Sequence, residues 1–209
     1  MSTHGSEPGD EQLMLEVRRG DASQLGRLFE RHHVPLFEFL YHTTGDRIGA
    51  EDLVQDVFVR ILKYRHTYRD GSPFVTWMYR IARNARADYF RRRHAVRASL
   101  GGLEPVDVAD VDPPADAPGV EDRLEWHRQT MLLRRALRQL PLDKRELIVL
   151  ARYQRLPHQQ IAELLDLDVG AVRVRVHRAL RLLRARFDTL VTGRDLCAVK
   201  MPSSPSGRG

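Results

Sequence analysis

The stretch LPHQQIAELLDLDVGAVRVRVHRALRLLRARF, Leu156–Phe187, decides the fold. Its apolar residues recur at intervals of three and four, the period of a helix that buries one face. Pro157 suits a first helical turn, and Ile161, Ala162, Leu164 and Leu165 give a short helix over Pro157–Leu165 its inward face. Asp166, Leu167 and Asp168 make the turn, with Leu167 plugging the angle between two helices and Asp168 as N-cap of the second. That second helix, Val169–Phe187, buries Val172, Val176, Ala179, Leu180, Leu183 and Phe187. Arg173, Arg175, His177, Arg178, Arg181, Arg184 and Arg186 take its other faces, with no acidic residue between Val169 and Phe187. The pattern is a helix-turn-helix, whose second helix lays its N-terminal part in the major groove of DNA while more distal arginines hold phosphates.

Upstream, Leu124–Leu140 has the helical period and Pro141 stops it. Asp143 with Glu146 three residues later resembles a capping box and opens a helix through Tyr153. Between Ala98 and Asp122 there is no Lys or Arg, while Glu104, Asp107, Asp110, Asp112, Asp116, Glu121 and Asp122 sit among glycines and prolines. Such a stretch cannot build a core and reads as a flexible acidic linker. The chain therefore divides into a domain over 12–95, a linker over 96–122 and a domain over 123–191, with disordered ends at 1–11 and 192–209.

In the first domain Leu13, Val17, Leu25, Leu28 and Phe29 lead into Leu36, Phe37, Phe39 and Leu40, with Pro35 at a helix start or kink. Glu51–Tyr64 places Leu53, Val54, Val57, Phe58, Ile61 and Leu62 on one face. Asp70–Pro73 forms a loop, and a long helix follows over Phe74–Arg93. Strand signals are almost absent, so the fold class is all-α, two small helical domains. The Phe74–Arg93 helix mixes Trp77, Tyr79, Tyr89 and Phe90 with Arg80, Arg83, Arg86 and Arg91 to Arg93. Aromatic faces accept unstacked bases and arginine neutralises the backbone, so this helix suits melted DNA. Trp77 itself fits a core position, and Asn84 fits a base reader. By contrast Glu51, Asp52, Gln55 and Asp56 open the preceding helix, and two readings stand for them: acids that favour the helix dipole, or a protein-docking patch, since like-charged phosphate would be repelled there.

Composition agrees with a polyanionic partner: 34 Lys and Arg against 28 Asp and Glu, and a pI near 9.9. The lysines are only Lys63, Lys144 and Lys200. A single cysteine, Cys197, excludes an intramolecular disulfide and a multi-cysteine zinc site and fits a reducing cytosol. No signal peptide and no membrane-spanning run is present, so a cytoplasmic protein without membrane insertion is expected. Neither a nucleophile elbow, a P-loop nor a metal-spaced set of His and carboxylates occurs, so no enzyme and no cofactor is expected. The adjacent His32 and His33 do not share a helical face and suit the surface. On the residues alone, a helix-turn-helix regulator with an N-terminal sensing domain and a polymerase-binding adaptor remain open.

Three strings in order, AEDLVQDVFVRIL (50–62), YRDGSPFVTWMYRIARNARADYFRRR (68–93) and LPLDKRELIVLARYQRLPHQQIAELLDLDVGAVRVRVHRALRLLR (140–184), carry a resemblance over most of the chain. The sequence resembles the extracytoplasmic-function (ECF, group IV) sigma factors of bacterial RNA polymerase. That resemblance implies a specificity subunit that recruits polymerase, traps an unpaired promoter base and leaves after initiation. It implies that the first domain, region 2, binds the β′ clamp helices of core polymerase through Asp52, Gln55 and Asp56. The same domain would read the minus-10 element with Asp70, Gly71, Ser72 and Phe74 of the loop and Tyr79, Arg80, Arg83 and Asn84 of the helix. The second domain, region 4, would read the minus-35 duplex with Arg173, Val174, Arg175, His177, Arg178 and Arg181, beside the β flap. An anti-sigma factor is a further partner it implies, and the linker would run through the polymerase cleft. Two departures stand out: Asp166 replaces a frequent turn glycine, which Asp tolerates, and apolar Val174 replaces a frequent polar residue and would touch a thymine methyl.

Overall fold

A computed structural model describes residues 7–99 and 120–193. The elements are α1 (Asp10–Arg19), α2 (Gln24–Thr44), α3 (Arg47–Tyr64), a 3-10 turn (Arg65–Thr67), α4 (Phe74–Ser99), α5 (Val120–Arg138), α6 (Leu142–Ile148), a π-helical turn (Val149–Tyr153), α7 (His158–Leu165) and α8 (Val169–Val191). Among the described residues there is no strand. In the first unit α2, α3 and α4 pack on one another with α1 across them; in the second, α8 packs against α5, α6 and α7.

Several elements extend beyond the sequence expectation. Pro35 lies inside α2 rather than at a helix start, because the helix is held by the fully buried Leu28, Leu36, Phe39 and Leu40 on both sides of it. Helix α3 begins four residues early: the Asp46 side chain accepts from the Gly49 N–H at 2.9 Å, a cap in a turn too polar to show periodicity. Residues 7–11, expected to be disordered, are tied down as Asp10 opens α1 and Arg31 donates to Asp10 at 2.8 Å and to the Pro8 carbonyl at 3.0 Å. His32 is not a surface residue: its Nε2 lies 2.7 Å from Asp10 and its ring leans on Phe74, while His33 stacks on Phe29. Glu146 does not cap α6, whose N-cap is Pro141 without a side-chain bond. The helices flanking the expected linker reach Ser99 and start at Val120; residues 100–119 of it, and 194–209 of the expected tail, lie outside the described residues.

The largest difference concerns the two units together. Buried residues of both form one continuous cluster, in which α2 and α4 meet α5, α6, the π-helical turn and α7. His42 of α2 sits against Tyr153, ring centroids 4.3 Å apart. The wide turn that carries Tyr153 ends with the Gln154 N–H bonded to the Val149 carbonyl at 2.9 Å, which aims Gln154 at α4.

Candidate polymerase and nucleic-acid interfaces

The helix-turn-helix is built as its residues dictate. Asp166 takes the left-handed conformation (φ 55°, ψ 54°) that closes α7, and Leu167 packs half-buried on the core. The Asp168 carboxylate accepts from the Ala171 N–H at 2.7 Å and so caps α8. Val172, Val176 and Ala179 are buried, which turns Arg173, Val174, Arg175, His177, Arg178 and Arg181 outward; all six are exposed. One face of α8 thus presents five basic or imidazole side chains and one apolar contact, Val174, to a groove-sized partner.

The residues expected at the minus-10 element do not form one surface. In the loop, Gly71 takes φ +78°, and the Tyr68 hydroxyl donates to the Ser72 carbonyl at 2.5 Å. The Glu11 carboxylate accepts from the Phe74 N–H at 3.2 Å, capping α4 from a helix far away in sequence. Burial, reinforced by Glu11, Asp70 and Asp10, pushes the Tyr68 phenol up to about 12, so it stays a donor. Asp70 and Gly71 are exposed, Ser72 is half-buried, and the Phe74 ring is fully buried beneath the loop.

Along α4 the remaining positions part by face. Tyr79 is buried edge-on to Phe39, with its hydroxyl donating to the Gln154 carboxamide oxygen at 2.6 Å, and burial raises its pKa strongly. Arg83 donates to Glu146 at 3.0 Å and to the Leu164 carbonyl at 3.1 Å, and Arg80 reaches the Glu163 carbonyl at 3.4 Å. Arg86 donates to the same Glu146 oxygen at 2.8 Å; both side chains of that pair are only 7% exposed. Burial lowers the Arg86 pKa and the Glu146 charge pulls it back. Asn84, by contrast, is exposed on another face, where it lines a cavity of about 350 Å³ with Arg60, Tyr64, Ile81, Asp88 and Arg91.

The docking candidates Asp52 and Gln55 are exposed near the start of α3. Asp56 is partly covered, because Arg60 donates to it at 3.0 Å and to Asp88 at 2.7 Å. The two helices are also tied at Asp46, which accepts from Tyr89 at 2.6 Å and from Arg93 at 2.8 Å. Burial would raise the Asp46 pKa, but these bonds and the Gly49 N–H leave it below the usual carboxylate range. Gly49 is required here, since a Cβ would lie 2.6 Å from the Tyr89 hydroxyl.

Sequence reasoning missed Glu11, Arg60, Asp88, Glu146 and Gln154 as parts of these surfaces. For Arg60 a signal existed: it follows Asp56 by four residues, the spacing of a helical ion pair. Asp88 interrupts an otherwise basic helix, which is itself informative. Nothing local marks Glu146 or Gln154, whose partners lie 60 and 75 residues away.

An outward arginine row on a capped recognition helix, with a basic and aromatic helix beside one that carries three acids, fits a two-part promoter reader of the transcription-initiation class. Comparison with known proteins agrees. Residues 28–96 match the family model "Sigma-70 region 2" and residues 130–183 the model "Sigma-70, region 4". The chain is 31% identical to the ECF RNA polymerase sigma factor SigX of Bacillus subtilis over 164 residues, 78% of this chain and 83% of that protein. It is 30% identical to the RNA polymerase sigma factor CarQ of Myxococcus xanthus over 171 residues, 82% and 93% of the two chains. CnrH, solved in complex with the cytosolic domain of CnrY, superposes with a TM-score of 0.61 at 26% identity over 88% of this chain and 97% of that one. The protein belongs to the ECF family of RNA polymerase sigma factors. It binds core RNA polymerase and directs it to promoters, and is not an enzyme. No helix of the described residues is long and apolar enough to cross a membrane.

Proposed function

We propose that Asp52, Gln55 and Asp56 dock the β′ clamp helices, that Asp70, Gly71, Ser72, Tyr79, Arg80, Arg83 and Asn84 meet the minus-10 element, and that the outward row of α8 reads the minus-35 duplex. Phe74 serves the loop as its buried anchor. The observation that carries this reading is the exposure of all six α8 positions on a helix whose opposite stripe is buried. Within it the chain as described is a closed form: Tyr79 and Arg83 are engaged by region 4, so these two meet DNA only after the two units part, whereas Arg80 stays exposed. That face of α4 is thereby kept from melted DNA in a resting sigma factor, and an anti-sigma factor is a natural partner for that form. The test is transcription in vitro with core polymerase on a promoter library. Programmed start sites with paired minus-35 and minus-10 motifs are expected; duplex binding with no start site would sink the reading.

A further inference from the structure

Arg60 stands between the two surfaces of region 2. Its Nε and Nη2 lie 3.0 Å from the two oxygens of Asp56 on the polymerase-facing helix, and its Nη1 lies 2.7 Å from Asp88. Asp88 lines the cavity that holds Asn84, and its second oxygen is taken by Arg91. The cavity, at about 350 Å³, is within the range of roughly 300–1,000 Å³ typical of ligand sites. Tyr64 gives it an exposed ring, Ile81 an apolar wall and Asn84 an edge-reading carboxamide, a set suited to one unstacked base. It is also open in the closed form, because region 4 covers a different face of α4.

We propose that Arg60 is a positioning residue that couples polymerase docking at Asp56 to capture of single-stranded DNA in the cavity around Asn84. The proposal rests on the assignment of Asp56 and Asn84 made above. In the free chain the guanidinium is divided between two carboxylates; Asp88 is already balanced by Arg91, so Asp56 is the acid that cancels the charge Arg60 would otherwise offer to a phosphate. A cation from polymerase that engages Asp56 draws that carboxylate away. Arg60 is left paired with Asp88, with two donor groups freed at the cavity rim for a backbone phosphate. The acid that would repel DNA is neutralised in the same step. Docking and DNA capture then strengthen each other, and by linkage the factor is the same in both directions.

The experiment uses the full chain, core RNA polymerase and a fluorescent single-stranded minus-10 oligonucleotide selected by the holoenzyme from a randomised library. Its affinity is measured with and without core, and the affinity for core with and without oligonucleotide. The wild-type chain is expected to show the same coupling factor both ways, in the ordinary range of about 5- to 150-fold. Arg60→Ala should collapse that factor toward one while leaving DNA-free core affinity equal or tighter, since Asp56 is released. A purely structural Arg60 would instead weaken both surfaces and the thermal midpoint together. Arg60→Lys, which keeps charge without the fork, should retain part of the coupling. In the free chain Asp56→Asn should raise oligonucleotide affinity about threefold or more, and lose that effect in the Arg60→Ala background. An unchanged coupling factor in Arg60→Ala, or no response to Asp56→Asn, overturns the proposal. If Asn84→Ala leaves oligonucleotide affinity intact and Asp52→Ala leaves core affinity intact, it is the assignment of the surfaces that has failed.

Discussion

Replacing Glu146 by glutamine should open the free chain. One oxygen of Glu146 receives Arg83 at 3.0 Å and Arg86 at 2.8 Å, and the Arg86–Glu146 pair is 7% exposed on either side. Removing one member of a buried pair costs about 3–5 kcal/mol, because it leaves the other charge buried alone. Arg83 is one-third exposed and contributes little to that sum. Glutamine keeps an acceptor for one hydrogen bond, which offsets about 1 kcal/mol. In the open form Arg86 regains water, so the loss falls on the closed form alone, by about 2 kcal/mol at the lower end. At about 1.4 kcal/mol per decade that shifts the equilibrium roughly 30-fold toward open. Energy transfer between dyes at Glu30→Cys and Arg184→Cys, in a Cys197→Ser background, should report a population of separated units that the parent lacks. The affinity of the free chain for single-stranded minus-10 DNA should rise in step, whereas holoenzyme transcription should change little. Adding Arg86→Gln removes the orphaned cation and should restore part of the closed population. Dye distances and DNA affinity both identical to the parent would refute the assignment of Glu146 as a principal polar tie between the units.

Other expectations are more local. Arg173→Ala should lose about 1–3 kcal/mol of base discrimination at the minus-35 element, whereas Arg184→Ala, beside Asp188, should weaken binding uniformly and reduce the salt slope by about one; selection from a randomised minus-35 library at several salt concentrations separates them. Asp168→Ala removes the cap of α8 and should destabilise region 4 by about 1 kcal/mol, read as a lower urea midpoint. The raised Tyr79 pKa gives a signed pH effect: the open form ionises near the ordinary value of about 10 while the closed form stays protonated, so closure is full below that pH and is lost as pH rises beyond it. Dye distances followed through that range should lengthen in the parent and much less in Tyr79→Phe.

How much of this could be read from the sequence follows the range of the interactions. The helix-turn-helix was legible because its determinants are neighbours: the apolar stripe of α8, the Asp168 cap and the Asp166 turn lie within one short stretch. The start of α3 was not, since Asp46 acts through one side-chain bond and Gly49 through the absence of a Cβ beside Tyr89. Glu146 shows the limit most clearly. Three residues after Asp143 it has the spacing of a capping box, and only the fold shows that its carboxylate goes to Arg83 and Arg86 instead. Likewise Arg83 and Asn84 are adjacent and looked like one surface, yet a step of one residue turns a side chain by about 100° around a helix.

That rotation has a consequence for the order of events. On α4, Tyr79, Arg83 and Arg86 share the face that region 4 covers, while Asn84, Asp88 and Arg91 share the face that holds the open cavity. Asp52 and Gln55 on α3 and the arginine row on α8 are exposed in the same closed form. With α3 docking polymerase and α8 reading the minus-35 duplex as proposed, one surface of each unit is within reach before the units part, and opening need not precede docking. A latch made of one carboxylate and two arginines suits that sequence: a few kcal/mol suppress open chains in the absence of polymerase, yet fall well below the free energy of a protein interface of ordinary affinity, about 12 kcal/mol at nanomolar. Because buried apolar residues of the two units also form one continuous cluster, the pairs at Glu146 are only the polar part of the closure, the part that a single substitution such as Glu146→Gln releases.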